Sequence, residues 1–118
     1  MWKKFIGKWR ITEMEQWDRD FIDMVAPGFF EFRKDGTGEF QFGCVHGYMD
    51  CRTEECAGRI RVGFSWEGND ECDPALGRGW AEVDGDVLPG QFYFHQGDQS
   101  WFKAAKAKSR PAPRRKKR

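Results

Sequence analysis

Hydrophobic and polar side chains alternate along most of this chain, and they do so in short runs. In RIRVGFSW (59–66), Ile60, Val62, Phe64 and Trp66 fall on one side, with Arg59, Arg61 and Ser65 on the other. FFEFR (29–33) sets Phe30 and Phe32 against Glu31 and Arg33. GEFQFGC (38–44) sets Phe40 and Phe42 against Glu39 and Gln41. A two-residue period marks a half-buried antiparallel strand. Between these last two runs, Asp35-Gly36 supplies the positive φ that a tight hairpin needs. KWRITEMEQW (8–17), VHGYMDCR (45–52), GRGWAEV (77–83), GQFYFH (90–95) and SWFKA (100–104) complete eight runs, with turns at Asp84-Gly85-Asp86 and Gln96-Gly97-Asp98. After the first run, Asp18 can cap a short helix that Pro27-Gly28 ends. Strands this short and this evenly spaced predict an all-β domain, a small up-and-down antiparallel β-barrel of about eight strands with one short helix after the first. Closure removes exposed edges; an open sheet curled around the helix is the alternative.

Composition agrees with strands. Eleven Phe and six Trp bring the aromatic share to 16%, while Leu occurs only at positions 76 and 88. Large flat side chains pack well on a pleated surface. At 118 residues the chain makes one domain with a modest core. Charge then divides it. Residues 103–118 hold nine bases and no acid, leaving eleven bases against nineteen acids, a net of −8, over residues 1–102. AKAKSRPAPRRKKR has no aromatic residue with which to build a core. The boundaries are therefore a barrel over 1–104 and a disordered basic tail over 105–118. The opening MWKKFIGKW lacks the apolar stretch of a signal peptide, and no apolar run approaches membrane-spanning length. Both features predict a cytoplasmic address with no membrane partner, where Cys44, Cys51, Cys56 and Cys72 stay reduced.

FIGKWRI (5–11) resembles the Gly-x-Trp first strand of lipocalin- and avidin-type barrels, with Gly7 and Trp9 on the motif positions. In that calycin-like architecture the Trp plugs one barrel end. HQGDQSWFKA resembles the last strand of the avidin type, although no biotin-binding residue carries over. KWRITEMEQWDRDFID, FSWEGNDECDPALGRGWA and HQGDQSWF resemble segments of a family of small uncharacterised bacterial proteins, over most of residues 5–104. That resemblance implies a bacterial origin and no particular activity.

Metal chemistry finds little support. Cys44, His46, Cys51, Cys56 and Cys72 are suitable ligands, but no two cysteines have the C-x2-C spacing that lets one turn grip zinc. NDECD (69–73) lacks the order of a calcium loop and reads as a turn before Pro74. His95, Asp98 and Ser100 span a turn where polar residues are expected anyway, and His46 beside Cys44 makes at most a Cys–His pair. No catalytic set, metal or cofactor is assigned.

Two binding readings remain. Alternation from Trp9 and Ile11 turns Glu13 and Glu15 inward. Alternation from Phe40 and Phe42 turns His46, Tyr48, Asp50 and Arg52 inward, unless a bulge at Gly43 or Gly47 reverses them. Buried charges are costly unless they pair with each other or with a ligand, so a Glu13–Arg52 bridge across the lumen is the functionless alternative. The first reading is thus a non-enzymatic barrel that holds a small molecule or a protein partner at an aromatic, charged mouth. Its contacts would be Glu13, Trp17, Tyr48, Asp50, Arg52, Trp66 and Glu67. In the second, Arg114, Arg115, Lys116, Lys117 and Arg118 make salt-dependent, sequence-independent contact with nucleic acid, as in an accessory ribonucleoprotein factor. FSWEGNDECDPALGRGW (64–80) reads as a strand, a polar turn around Asp73-Pro74 and the next strand. In it Glu67 lies nearest the pocket, and Arg78 pairs with local carboxylates.

Overall fold

The structure is a computed structural model and describes residues 2–107. Eight antiparallel strands follow in chain order around a closed barrel: β1 (Gly7–Met14), β2 (Phe29–Phe32), β3 (Thr37–Phe42), β4 (Val45–Cys56), β5 (Arg59–Asp70), β6 (Asp73–Ala81), β7 (Val87–Phe94) and β8 (Gln99–Lys106). β8 pairs back onto β1, so the open-sheet alternative falls away. β8 also runs two residues past the expected boundary, with Ala105 opposite Arg10 and Lys106 opposite Trp9. Beyond Ala107 the expected tail, including Arg114, Arg115, Lys116, Lys117 and Arg118, lies outside the described residues. Among the described residues, no helix is long and apolar enough to cross a membrane.

The interior is built from rings opposite glycines. Phe40 faces Gly47 across the β3–β4 ladder, Phe64 faces Gly79, Trp66 faces Gly77, and Phe102 faces Gly90. Each glycine leaves a gap that the opposing ring fills. A Cβ on Gly47 would lie 2.6 Å from Phe40 Cζ, and one on Gly79 would lie 2.5 Å from Phe64 Cζ. This exchange lets a barrel of eight strands, only wide enough for side chains, hold so many aromatic residues. Phe30 stacks on Phe102 with centroids 4.5 Å apart, Trp66 stacks on Phe92 at 5.1 Å, and Phe40 meets both Trp66 and Phe92 edge-on at 5.1 Å. Phe30, Phe40, Phe42 and Phe92 are fully buried. The rings fill the barrel axis, and among the described residues no charged side chain is buried.

Two local features overturn the expected inward charges. β1 bulges between Ile11 and Glu13, so Ile11 and Met14 are buried while Glu13, opposite Lys103, and Glu15 are exposed. At the other position the chain does not run on as a strand. Gly43-Cys44 forms a two-residue hairpin turn, with Phe42 opposite Val45 and Gly43 at φ +57°, where a type II′ turn calls for glycine. The turn shifts the alternation by one residue. Val45, Gly47, Met49 and Cys51 therefore point inward, and His46, Tyr48, Asp50 and Arg52 face outward. A one-residue shift moves every following side chain to the other face. No Glu13–Arg52 bridge forms; Arg52 reaches Asp50 instead, at 3.8 Å.

The two barrel ends are closed differently. At one end a 3-10 turn, Trp2–Lys4, brings Phe5 over the opening. Trp9 donates its indole N–H to the Phe5 carbonyl (3.0 Å), and Trp2 donates to the Arg33 carbonyl (3.0 Å). At the other end lies α1 (Arg19–Ile22), capped by the Asp18 carboxylate, which accepts from Phe21 N–H at 3.0 Å. The helix stops well before Pro27 because Asp23 turns the chain, accepting from Gly28 N–H at 2.8 Å.

Candidate functional site

At the α1 end the aromatic stack reaches the surface. Gly43 fixes the geometry: it donates its N–H to the Ile22 carbonyl (2.9 Å), and the Phe21 ring lies where a Cβ would be. Trp17 leans on Phe42 at 4.9 Å and stacks near Phe21 at 6.2 Å, while Phe94 stands edge-on to Trp17 at 6.2 Å. Phe42 is buried, whereas Trp17, Phe21 and Phe94 are half-exposed. Together with Val45, Asp70 and Asp98 they line a recess of about 300 Å³. Asp70 closes the β5 ladder opposite Val45. Asp98 belongs to the β7–β8 turn, where its carbonyl accepts from Phe94 N–H at 2.9 Å.

This end carries unbalanced negative charge. Arg10 and Arg19 both reach Asp23, at 3.9 and 3.7 Å. Among the described residues Asp70, Glu71, Asp73 and Asp98 form no ion pair. The neighbouring Cys44 thiol registers the field: burial, then the charge and hydrogen bond of Glu71 and the charge of Asp70, push its pKa up.

A second surface is the outer wall of β4–β7, where cross-strand neighbours form rows. One row runs Tyr48–Glu67–Leu76, the next Asp50–Ser65–Arg78–Tyr93, and a third Arg52–Gly63–Trp80–Gln91. Ser65 and Gly63 leave a shallow trough of about 500 Å³ between the larger side chains. The arginines here are engaged, whereas Glu67 forms no ion pair among the described residues. Arg61 lies 4.0 Å from the Trp80 ring and 3.5 Å from Glu82, and Arg59 pairs with Glu82 at 2.7 Å. Arg78 sits over Tyr93 at 5.3 Å and pairs with no local carboxylate.

The seven sequence-predicted contacts thus scatter. Tyr48, Asp50, Arg52 and Glu67 share the outer wall, with Tyr48 directly opposite Glu67. Trp66 points inward as expected and donates its indole N–H to the Tyr93 carbonyl (3.2 Å). Glu13 stands on the β1–β8 wall, away from the others. Trp17 alone belongs to the mouth recess. The stretch 64–80 is more continuous than expected. β5 extends to Asp70, the turn is Glu71-Cys72, and Pro74 sits inside β6 opposite Asn69. Pro74 is tolerated there because β6 gains its second neighbour only at Gly77, so the missing N–H costs no ladder bond to β7.

The polar groups weighed for catalysis are otherwise engaged. The buried Ser100 hydroxyl accepts from the N–H groups of Glu15 and Gln16 (3.0 and 3.2 Å) and donates to the Trp101 carbonyl (2.9 Å), clipping β1 to β8. His46 Nε2 bonds Glu39 at 2.5 Å rather than Cys44. Cys44 lies in the β3–β4 turn, Cys51 inside β4, Cys56 at the β4–β5 tip and Cys72 in the β5–β6 turn. Among the described residues, no three His, Cys, Asp or Glu side chains converge on a point that would hold a metal ion.

Sequence reasoning missed Phe21, Phe94, Asp70 and Asp98. Phe94 continues the inward alternation of Phe92, but its arrival beside Phe21 depends on barrel closure and on α1 folding across the mouth. No protein-family model matches the chain, and no curated protein or solved structure is similar to it at a significant level.

Proposed function

We propose that the protein is a non-enzymatic binding protein whose site is the mouth recess between Trp17, Phe21 and Phe94. It takes a small molecule, or one side chain of a protein partner. One observation carries this reading: an aromatic stack that is sealed at the Phe5 end is left open at the α1 end, in a concave recess with unpaired carboxylates. A mostly apolar hollow with a few polar groups at its rim is the usual form of a ligand site. The outer wall is the weaker candidate, because its arginines are already engaged with Glu82, Trp80, Tyr93 and Asp50.

The resemblance to lipocalin- and avidin-type barrels rests on Gly7 and Trp9, and the closed up-and-down strand order and the packing of Trp9 against the plug at one barrel end are in keeping with it. The free thiols of Cys44, Cys51, Cys56 and Cys72 support a reducing, cytoplasmic setting.

The test is a ¹H–¹⁵N titration of the full chain with a fragment set that includes neutral, anionic and cationic members. The expected result is that hits shift the Trp17 indole and the Val45 and Gly97 amides, and that Trp17→Ala abolishes those shifts. Hits confined to the outer wall, or no hit at millimolar concentration, refute the assignment.

A further inference from the structure

We infer that the mouth recess selects an organic cation, a small alkylated ammonium group, and this rests on the reading of the recess as a binding site. Three observations converge. The walls are the half-exposed rings of Trp17, Phe21 and Phe94, whose negative π-faces attract a cation placed over them. The rim carries Asp70 and Asp98, which no Lys or Arg among the described residues neutralises. The body over residues 1–102 has a net charge of −8, which raises the local concentration of cations.

An anion would meet two carboxylates and no counter-charge. A metal ion needs converging oxygen ligands, but the recess offers two carboxylates among indole, phenyl and valine walls, and among the described residues no three potential ligands converge. A neutral apolar group would fit the rings yet make no use of the carboxylates. An alkylated ammonium uses both surfaces. It is weakly hydrated, its methyl or methylene groups pack against the rings, and its charge faces Asp70 and Asp98. At about 300 Å³ the recess is at the small end of the range for ligand sites, which suits a headgroup-sized ion. The contrast with the outer wall is physical. There two of the rings already have a guanidinium from the chain itself, Arg61 over Trp80 and Arg78 over Tyr93. At the mouth the rings of Trp17, Phe21 and Phe94 have no such partner among the described residues.

The experiment compares choline with 3,3-dimethylbutan-1-ol, in which carbon replaces the charged nitrogen at nearly the same shape. Both are titrated into the full chain while the Trp17 indole and Gly97 amide are followed. Choline is expected to bind about tenfold more tightly than the alcohol. Its affinity should fall as NaCl rises from low to high concentration, because the carboxylates are solvent-exposed. Asp70→Asn and Asp98→Asn lie on the surface and keep the side-chain shape. Each should weaken choline about threefold to tenfold and leave the alcohol unchanged. A third arm uses N-acetyl-trimethyllysine methylamide. Tighter binding than choline assigns the ammonium to a protein side chain, and weaker binding assigns it to a free ion. Equal affinities for choline and the alcohol overturn the cation inference while leaving the recess as a site. Fragment hits at the recess with no choline response overturn the inference alone, and no response from any probe overturns both readings.

Discussion

Adding one methyl group to the barrel interior, by Gly47→Ala, tests the ring-over-glycine packing directly. The new Cβ would lie 2.6 Å from both Cε2 and Cζ of Phe40 and 2.9 Å from Trp66 Cε3. Carbon atoms pack comfortably at about 3.5–4.0 Å, so a ring must retreat by roughly 1 Å. Phe40 has nowhere to go. Its ring is held between Trp66 and Phe92, both at 5.1 Å, Phe30 at 5.5 Å and Phe42 at 6.0 Å. Overpacking typically costs about 1–3 kcal/mol, and a wedged ring puts this substitution at the upper end. With an unfolding entropy of about 2.1 cal/mol/K per residue, a loss of about 3 kcal/mol lowers Tm by roughly 12–15 °C for a barrel of this size. Phe40→Leu removes the clashing atoms and should cost about 1–2 kcal/mol by itself. The double variant should then be more stable than the sum of the two losses by about 1–2 kcal/mol. Denaturant unfolding followed by tryptophan fluorescence, with m-values compared across the cycle, measures each corner. A Gly47→Ala variant within 0.5 kcal/mol of the parent, or a strictly additive cycle, would refute the packing argument.

Thiol reactivity checks the placement of the cysteines. Cys56 and Cys72 are exposed and should react quickly with a disulfide reagent at pH 8, with Cys44 slower. Burial, then the charge of Asp50, pushes the Cys51 thiol up to about 12, so it should stay unreacted until guanidinium unfolds the chain; its modification in the folded protein would contradict the inward register of β4. Glu39 gives a pH test. The His46 hydrogen bond, followed by that of Arg33 at 2.7 Å, holds its carboxyl below the ordinary carboxylate range. A carboxylate lowered on folding stabilises the protein above its unfolded value, about 4.3, and loses that contribution as pH falls through the lowered value. The stability deficit of Glu39→Gln should therefore be full at pH 7 and shrink between about pH 5 and pH 3. A deficit that does not change with pH, measured by urea unfolding, would show that the pairing contributes nothing to the titration.

Strand identity was legible because Phe30, Phe32, Phe40, Phe42, Phe64 and Trp66 keep one phase over uninterrupted runs, and all six are buried. Phase was lost where the backbone changed without a decisive residue. The bulge between Ile11 and Glu13 contains neither glycine nor proline, so nothing in ITEM announces that Glu13 turns outward. In QFGCVHG, Gly43 and Gly47 look alike, yet one makes a turn and the other receives the Phe40 ring. A bulge and a two-residue turn both shift the alternation, and the pattern alone does not say which glycine does so. GRGW is harder still, because its interior positions are the glycines and its bulky Trp80 lies outside under Arg61. The mouth recess was the least legible feature. Trp17 comes from the loop after β1, Asp70 from the end of β5 and Asp98 from the β7–β8 turn, and only closure of β8 onto β1 brings them together.

The filled interior also constrains where binding can occur. In larger barrels the lumen is the pocket, but here the glycine-backed rings occupy it and leave only the two ends. The ends differ in shape and in what lies beside their unpaired acids. Near the Phe5 plug, Glu31 and Glu39 share Arg33 at 3.6 and 2.7 Å and Glu82 holds Arg59 at 2.7 Å, while Asp35, Glu54, Glu55, Asp84 and Asp86 form no ion pair among the described residues. At the α1 end Asp23 is paired but Asp70, Glu71, Asp73 and Asp98 are not, and there the rings beside Asp70 and Asp98 are left half-covered. A fold gains nothing in stability from unpaired carboxylates beside open aromatic faces, since neither group lowers the energy of the other. Both groups lower the energy of a cation placed between them. Behind the recess, Phe42 meets Phe92 edge-on at 5.2 Å, and both rings are fully buried, so Trp17 and Phe21 lean on packing that holds a small ligand's walls in one orientation.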